Sequence, residues 1–482
     1  MHSSQFPLCS FVAVLLSTFP IIASPPSSNE DRAKIIGKPV HLSALPASIQ
    51  LMGQHSSQQL LITGHYADGS QLDLTLFSSW QVAQPDVVTI TDGFIRGKKN
   101  GSTTLTAIVG GLKLNIPVTV GRMDDIDRVS FRHHVIGSLN VGGCNAGACH
   151  GTPSGKNGFR LSLRGYDPAL DYLQLSRDVL GRRSDRLNPY ASLFLLKGMG
   201  RVPHEGGARL GADSVAVEMI ASWLADGMQD DPKSLASLTK IEVMPGSRVL
   251  NAPARWQQLS VLAHFADGTT KDMTRLTVFS SSDSAIADVS PNGLVEFKQA
   301  GEVAILCRYL EQMQAVRLTY LEPKPGFVWK NPPEANYIDH LVNAKLKQMS
   351  LTPSNLCTDD EFIRRCSLDL CGTLPTPEEV RRFLDNKSPT KRAELIDSLL
   401  QRPEYADFWA LKWADVLRSS RKTIQLKGAH AFQVWLREHL AANTGFDQLI
   451  RELITANGST YANPPANYYR IAKDPQNQAA VL

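Results

Sequence analysis

No sign of charge dominates this sequence: 50 Lys+Arg stand against 46 Asp+Glu, a formal net charge of +4. With no long block of either sign, the composition argues for neither a nucleic acid nor an anionic membrane as partner, and any basic site has to be local. Catalytic signatures are missing too. There is no G-x-S-x-G elbow, no P-loop and no H-E-x-x-H. The carboxylates on predicted helices, Asp369, Glu378, Glu379, Asp407 and Asp415, read as caps and solvated faces. No catalytic centre is assigned. Beyond residue 24 the chain has no apolar run long enough to cross a bilayer.

The apolar run that does exist lies at the start. Phe11 to Ala23 has the length of a signal-peptide core, with Ala23 and Ser24 where cleavage would fall, although no Lys or Arg precedes it. We read residues 1–24 as a signal peptide and the protein as exported, periplasmic or at the cell surface. Cysteine is sparse. Cys9 would leave with the signal, so Cys144, Cys149, Cys307, Cys357, Cys366 and Cys371 would meet an oxidising compartment.

The feature that points furthest is Cys144-Asn145-Ala146-Gly147-Ala148-Cys149-His150. In covalent haem attachment two thiols add across the vinyl groups and the histidine following the second cysteine takes an axial position. The common spacing is C-x-x-C-H and here it is C-x4-C-H, so two extra residues have to bulge outward. Gly142, Gly143 and Gly147 permit the bulge, since glycine accepts positive φ and lets backbone approach a flat cofactor. Haem c is the expected cofactor, with Cys144, Cys149 and His150 as its residues. For the sixth position the sequence offers His204, in a loop between Pro203 and Gly206-Gly207, with Met199 as the alternative. The choice matters, because bis-His ligation gives a lower potential than Met/His. The competing reading is a Cys144–Cys149 disulfide across a Gly-rich loop. A zinc site from Cys144, Cys149, His150 and His204 satisfies the ligand count, but thiolates suit an oxidising compartment poorly. Cys357, Cys366 and Cys371 read as small core residues, or one disulfide, and Cys307 as core.

The length suggests roughly three or four domains. From about Val40 to Gly121, short runs alternate apolar and polar residues between turn signals such as Asp68-Gly69 and Asp92-Gly93, which predicts a β-sandwich. The pattern returns nearly two hundred residues later. His65-Tyr66-Ala67-Asp68-Gly69-Ser70 matches His264-Phe265-Ala266-Asp267-Gly268-Thr269, and Ser78-Ser79-Trp80 through Val88 matches Ser280-Ser281-Ser282 through Val289. Such a repeat predicts two related modules. Their A-D-G-[ST] and SS-x(3) motifs resemble the bacterial Ig-like group 2 family, which implies sandwich modules used as spacers or adhesive units. His65 and His264 read as packing residues.

Between the copies, a short helix around Val135 to Leu139 precedes the cysteines, and Asp213-Ser214 can cap a helix with Ala216, Ile220, Trp223 and Leu224 on one face, which Gly227 can end. That order is the layout of a small c-type cytochrome. From about Asn336 the chain turns helical: Thr376-Pro377-Glu378-Glu379 is a helix start with a capping box, Ser388-Pro389-Thr390 opens another helix that Pro403 ends, and a further helix runs from Ala429 to Leu440. Tyr405, Phe408, Trp409 and Trp413 have helical spacing and read as core. Residues 475–482 look like a helix opening that stops.

These textures in this order resemble the planctomycete cytochrome-associated exported proteins. The resemblance rests on Gly143 to Gly151 with Ser154-Gly155-Lys156-Asn157-Gly158-Phe159, on Val202-Pro203-His204-Glu205-Gly206-Gly207, and on Leu374 to Val380, Arg402-Pro403-Glu404-Tyr405 and Trp413-Ala414-Asp415. It implies a multidomain chain: Ig-like sandwiches at 36–121 and 238–321 flanking an α cytochrome-c-like domain at 127–230, then a mostly α-helical domain of unknown function at 334–482, incomplete at its C-terminus. Two functions follow: haem-c electron transfer on an Ig-like scaffold with an unidentified redox partner, or a non-redox surface or adhesion scaffold whose partner is a cell-surface component. Neither requires nucleic acid or a membrane span beyond the signal segment.

Overall fold

A computed structural model describes residue 26 and residues 28–471. The expected signal peptide, Cys9 and the helix opening at 475–482 lie outside the described residues. The chain divides into two compact units, Met1–Val328 and Trp329–Leu482. None of the described helices is long and apolar enough to cross a membrane.

The first unit opens with helix α1 (Asn29–Ile36), capped by Ser28, and continues into two β-sandwich-like modules with the same strand order. In the first, Ile49–Met52, Leu112–Gly121, Gly101–Val109 and Ser79–Val82 form a four-stranded sheet in that order, the first pair parallel and the rest antiparallel. Two three-stranded sheets complete it, and Arg248–Asn251, Gln312–Leu321, Gly301–Tyr309 and Val278–Ser281 repeat the larger sheet in the second module. The sequence alternation explains the layers. Leu105, Ala107 and Val109 point inward along one strand, and Ile116, Val118 and Val120 meet them from its neighbour. Cys307 is fully buried in the equivalent position of the second module.

The modules are separated in sequence by the middle segment, yet they pack directly on each other through a reciprocal set of hydrogen bonds. Asp272 Oδ2 accepts from Gln58 Nε2 (2.8 Å) and from the Gln59 backbone N–H (2.8 Å). Asp73 Oδ2 accepts from Gln257 Nε2 (3.1 Å) and from the Gln258 N–H. Each carboxylate spends its other oxygen at home, on Thr75 in one copy and Thr274 in the other. Burial pushes both carboxyls up, against the donors that favour the ionised form. Trp256 and Ala254 of the second module join the core of the first. The two histidines of the repeat do pack: His65 stacks on His41 at 4.0 Å and bonds Ser43, and His264 bonds Glu242.

The middle segment holds α2 (Ile136–Val141), preceded by a π-turn from Phe131 to Val135, then α3 (Pro168–Ser176), α4 (Leu193–Gly198) and α5 (Val215–Ala225). Ser214 caps α5 by accepting from the Val217 N–H, and Gly227 follows with φ +86°. The core of this segment is continuous with that of the second module. Gly137 lies where a Cβ would come within 3.3 Å of Leu276, and Tyr309 Oη donates to the His133 carbonyl at 3.0 Å. The π-turn and α2 are therefore held by the neighbouring sandwich as well as by the other helices of the segment.

Asp171, on α3 and without exposed surface, accepts from Ser162 N–H (2.6 Å) and Ser162 Oγ (2.7 Å). Burial pushes its carboxyl up to about 6 against these bonds. The folded chain thus holds this proton more tightly than the unfolded chain, where the group titrates near ~3.9. Its contribution to stability is fully present below about pH 4 and is lost as pH rises through about 6. We expect the unfolding free energy of the first unit to fall from this cause by roughly 2–3 kcal/mol between pH 4 and 7. Urea unfolding across that range checks it, with Asp171→Asn expected to flatten the dependence.

The second unit is helical: α6 (Tyr337–Gln348), α7 (Asp359–Cys371), α8 (Pro377–Asp385), α9 (Lys391–Leu400), α10 (Pro403–Val416), α11 (Arg421–Ala441), α12 (Phe446–Thr455) and α13 (Tyr468–Ile471). The Thr376 capping box is formed in both directions, with Glu379 Oε2 accepting the Thr376 N–H at 2.7 Å. Several expectations are corrected. Pro403 opens α10 rather than ending α9, and the helix expected from Ala429 begins at Arg421 with a break at Gln425. The buried stripe of α10 is Ala406, Ala410 and Ala414; Tyr405, Phe408, Trp409 and Trp413 are only half-buried beside it. Small residues take the deep positions because the helices approach closely there. Cys371 is buried, donating toward the Leu399 carbonyl, and α7 stops at Gly372, whose φ of +69° and whose Cβ position, 2.4 Å from Phe408, admit no side chain.

Candidate functional site

The Cys144–His150 loop begins where α2 fails. Gly143 takes φ +65°, and Cys144 N–H turns back to the Leu139 carbonyl. Turns then close on one another: Cys149 N–H donates to Ala146 O, and His150 N–H to Cys144 O at 3.0 Å. That last bond draws the two ends of the x4 bulge together. The glycines act differently from expectation. Among the three, Gly143 alone uses positive φ; Gly142 is needed because a Cβ would sit 2.9 Å from Leu210, and Gly147 meets no tight contact. Gly151 is a further requirement, since its Cβ would fall 2.2 Å from the Asn145 carbonyl oxygen.

His150 is fixed by the motif that follows it. Gly155, Asn157 and Gly158 all take positive φ, folding the chain so that the Phe159 carbonyl faces His150 Nδ1 at 2.9 Å and the two rings lie 4.5 Å apart. Arg183, buried, clamps this turn: it stacks on Phe159 at 4.5 Å and donates to Gly158 O (2.9 Å) and to Asp178 Oδ2 (2.7 Å). Burial pushes the His150 imidazolium down, which keeps the ring neutral and its lone pair available.

His204 is held in the same way on the opposite loop. Its Nδ1 lies 3.0 Å from the Gly207 carbonyl, and Gly206 packs so tightly on the ring that a Cβ would sit 2.9 Å from Cε1. The two imidazoles are nearly parallel, 11° between planes, with centroids 6.4 Å apart. That is too far for ring contact. Two imidazoles that share one ion through Nε2 at ~2.0 Å each have centroids roughly 6.3 Å apart when they face it from opposite sides. With each Nδ1 on a carbonyl, Nε2 is the nitrogen left for a ligand, which is the outer-shell arrangement of metal-binding histidines.

Both rings line one cavity of about 330 Å³, together with Cys144 and Cys149. Its walls are apolar, from Leu139, Phe159, Leu193, Phe194 and Pro203, and cationic at Arg182, Lys197 and Arg209. The volume lies within the range of small-molecule sites. Both cysteines are thiols in this structure, and burial pushes Cys144 up to about 11, helped by Cys149 beside it. Met199, at the end of α4, packs against the core and does not line the cavity. Among the described residues no group of three or more His, Cys, Asp or Glu can hold a metal ion, so the four residues considered for zinc do not assemble into such a site. Cys357, Cys366 and Cys371 likewise form no cluster there. The basic wall was not recognised from the sequence. Its signal was local: residues 150–210 hold ten Lys/Arg against five Asp/Glu, a bias hidden by the balanced total.

Residues 337–481 match a family model described as PSCyt2, protein of unknown function (DUF1549). A curated relative, Ice-binding protein 1 of Shewanella frigidimarina (strain NCIMB 400), is 24% identical over 252 residues, 50% of this chain and 24% of that protein. The chain thus spans about a quarter of the length of the curated relative it matches. Among solved structures, domains 5–6 of the S-layer protein SbsC align over 59% of this chain and 99% of that one, at 10% identity and a TM-score of 0.24. Domains 4–9 of the same protein cover 58% and 31%, at 10% identity and a TM-score of 0.24. At such scores these alignments carry no weight for the fold.

Proposed function

We propose that this is an exported, surface-type modular protein in which two Ig-like modules support a cytochrome-c-like segment binding haem c. Cys144 and Cys149 would hold the porphyrin through their sulfurs, and His150 and His204 would ligate its iron. The observation that carries the haem reading is the His150–His204 pair: near-parallel rings with centroids 6.4 Å apart, both Nδ1 atoms tied to carbonyls, in a cavity that also receives both thiols. A haem needs only two protein donors to its iron, so a metal cluster is not required. When bound, it would supply a one-electron couple. The chain's own part is to fix both imidazoles through the Phe159 and Gly207 carbonyls, to present neutral His150, and to line the cavity with Leu139, Phe159 and Phe194 against water.

The curated relative favours a second reading, in which the chain is a non-redox surface scaffold and a disulfide closes the cytochrome-like remnant. That relative is named for binding ice, which fits this reading better than electron transfer. Expression with a cytochrome c maturation system decides between the two. The haem reading expects a haem-stained band that survives denaturing electrophoresis and disappears in the Cys144→Ser/Cys149→Ser variant. The scaffold reading expects no such band, and a Cys144–Cys149 disulfide by mass spectrometry of the exported chain.

A further inference from the structure

The cations around the cavity fall into two groups. Lys156 pairs with Glu205 at 3.1 Å and Arg183 with Asp178 at 2.7 Å, so these two serve the loops themselves. Arg182, Lys197 and Arg209 also line the cavity, yet among the described residues none of them has an ion pair, and Arg209 spends only its Nε, on the Gly206 carbonyl. Arg182 and Arg209 are exposed and Lys197 is half-buried, so water screens their charges from one another while leaving them available to an anion at the cavity.

The backbone is strained where it places two of the basic residues. Val179, Leu180 and Gly181 are consecutive left-handed residues, with φ +50°, +57° and +69°. A β-branched residue rarely takes that conformation, and strain of this kind persists where the surroundings over-determine it, typically at binding sites. Here the turn sends Arg183 inward onto Phe159 while Arg182 stays exposed at the cavity rim.

We propose that the cavity is built for an apolar ligand bearing more than one carboxylate, and that Arg182, Lys197 and Arg209 hold those carboxylates while His150 and His204 face its centre. The inference rests on the haem reading, in which the carboxylates are the two porphyrin propionates. Charge-assisted hydrogen bonds to guanidinium and ammonium groups supply the preference for acid over ester.

The full chain carrying Cys144→Ser/Cys149→Ser, in which no thiol can attach a porphyrin covalently, tests it. Haemin and its dimethyl ester are titrated by absorbance, and iron-free protoporphyrin and its dimethyl ester by fluorescence. The acids are expected to bind about tenfold or more tightly than the esters. Adding Arg182→Gln, Lys197→Gln and Arg209→Gln should remove that preference and leave ester affinity unchanged; Arg182→Gln alone, at an exposed position, should reduce it in part. Equal binding of acid and ester by the parent chain, or equal loss of both in the triple variant, overturns the carboxylate assignment while leaving histidine-coordinated haem intact. A preference for iron-free acid without a histidine-coordinated haemin spectrum sinks the haem reading and keeps the anionic site. Failure of all four porphyrins to bind overturns both.

Discussion

Replacing His204 with alanine in the haem-loaded chain is expected to convert a six-coordinate low-spin spectrum into a high-spin one, while Met199→Ala leaves the low-spin spectrum in place. The expectation follows from where the two side chains are. His204 lines the cavity, its Nδ1 engaged by Gly207 and its ring 6.4 Å from that of His150; Met199 packs against the core at the end of α4. The loop around His204 is pinned by Gly206, where no side chain fits against the ring, so the remaining backbone should not bring Met199 round to take its place. Visible absorption and electron paramagnetic resonance read the coordination directly, and the midpoint potential adds a second measure, since bis-His ligation lies below Met/His. A spectrum that changes in Met199→Ala and not in His204→Ala would reverse the assignment of the sixth ligand.

The other large effect is expected in the contact between the sandwich modules. Asp73→Ala removes an acceptor shared by Gln257 Nε2, the Gln258 N–H and Thr75, and leaves buried donors with no partner. At about 1–3 kcal/mol for each buried group left unsatisfied, a loss of roughly 3–5 kcal/mol is expected from the single change. Asp73→Asn should cost nearly as much, because one of its two terminal atoms becomes a donor facing donors. Asp272→Ala is the mirror experiment, and the pair should be non-additive, since both act on one interface. Asp68→Ala is the control: Asp68 organises only its own exposed turn with Ser70 and should change stability far less. Differential scanning calorimetry tests a further consequence, the separation of a joint sandwich transition into two. A single unshifted transition in Asp73→Ala would show that the modules are held by other contacts, chiefly those around Trp256.

What could be read from the sequence was local or periodic. The Thr376 capping box and the Ser214 cap depend on residues three apart, and both form as read. Strand alternation depends on a period of two and set the inward faces of both modules. Errors arose where a local pattern had two physical meanings. An aromatic stripe and an alanine stripe run along the same helix, and only the closeness of the neighbouring helices makes Ala406, Ala410 and Ala414 the buried one. A glycine can be needed for φ or for space, and Gly142 and Gly143, adjacent in sequence, differ in just that respect.

The Cys144–His150 motif was visible in the sequence because its two thiols and its imidazole lie on one short stretch of chain. The rest of the site was assembled by contacts that no spacing encodes. Phe159 and Gly207 orient the two imidazoles through main-chain carbonyls, which leave no mark on residue type, and the cationic wall collects Arg182, Lys197 and Arg209 from three separate loops and helix ends. The Asp–Gln contact between modules is of the same kind, since its residues sit on short strands, Ser57–Gln59 and Gln71–Asp73 in one copy and Trp256–Gln258 and Thr270–Asp272 in the other, and meet only when the second copy packs on the first. By itself, then, the sequence determined the elements, the repeat and the thiol–imidazole loop, all of which follow from forces acting over a few residues. Only the tertiary structure decided that His150 and His204 face each other across one cavity and that the two sandwiches join directly, because those outcomes depend on which distant surfaces exclude water together.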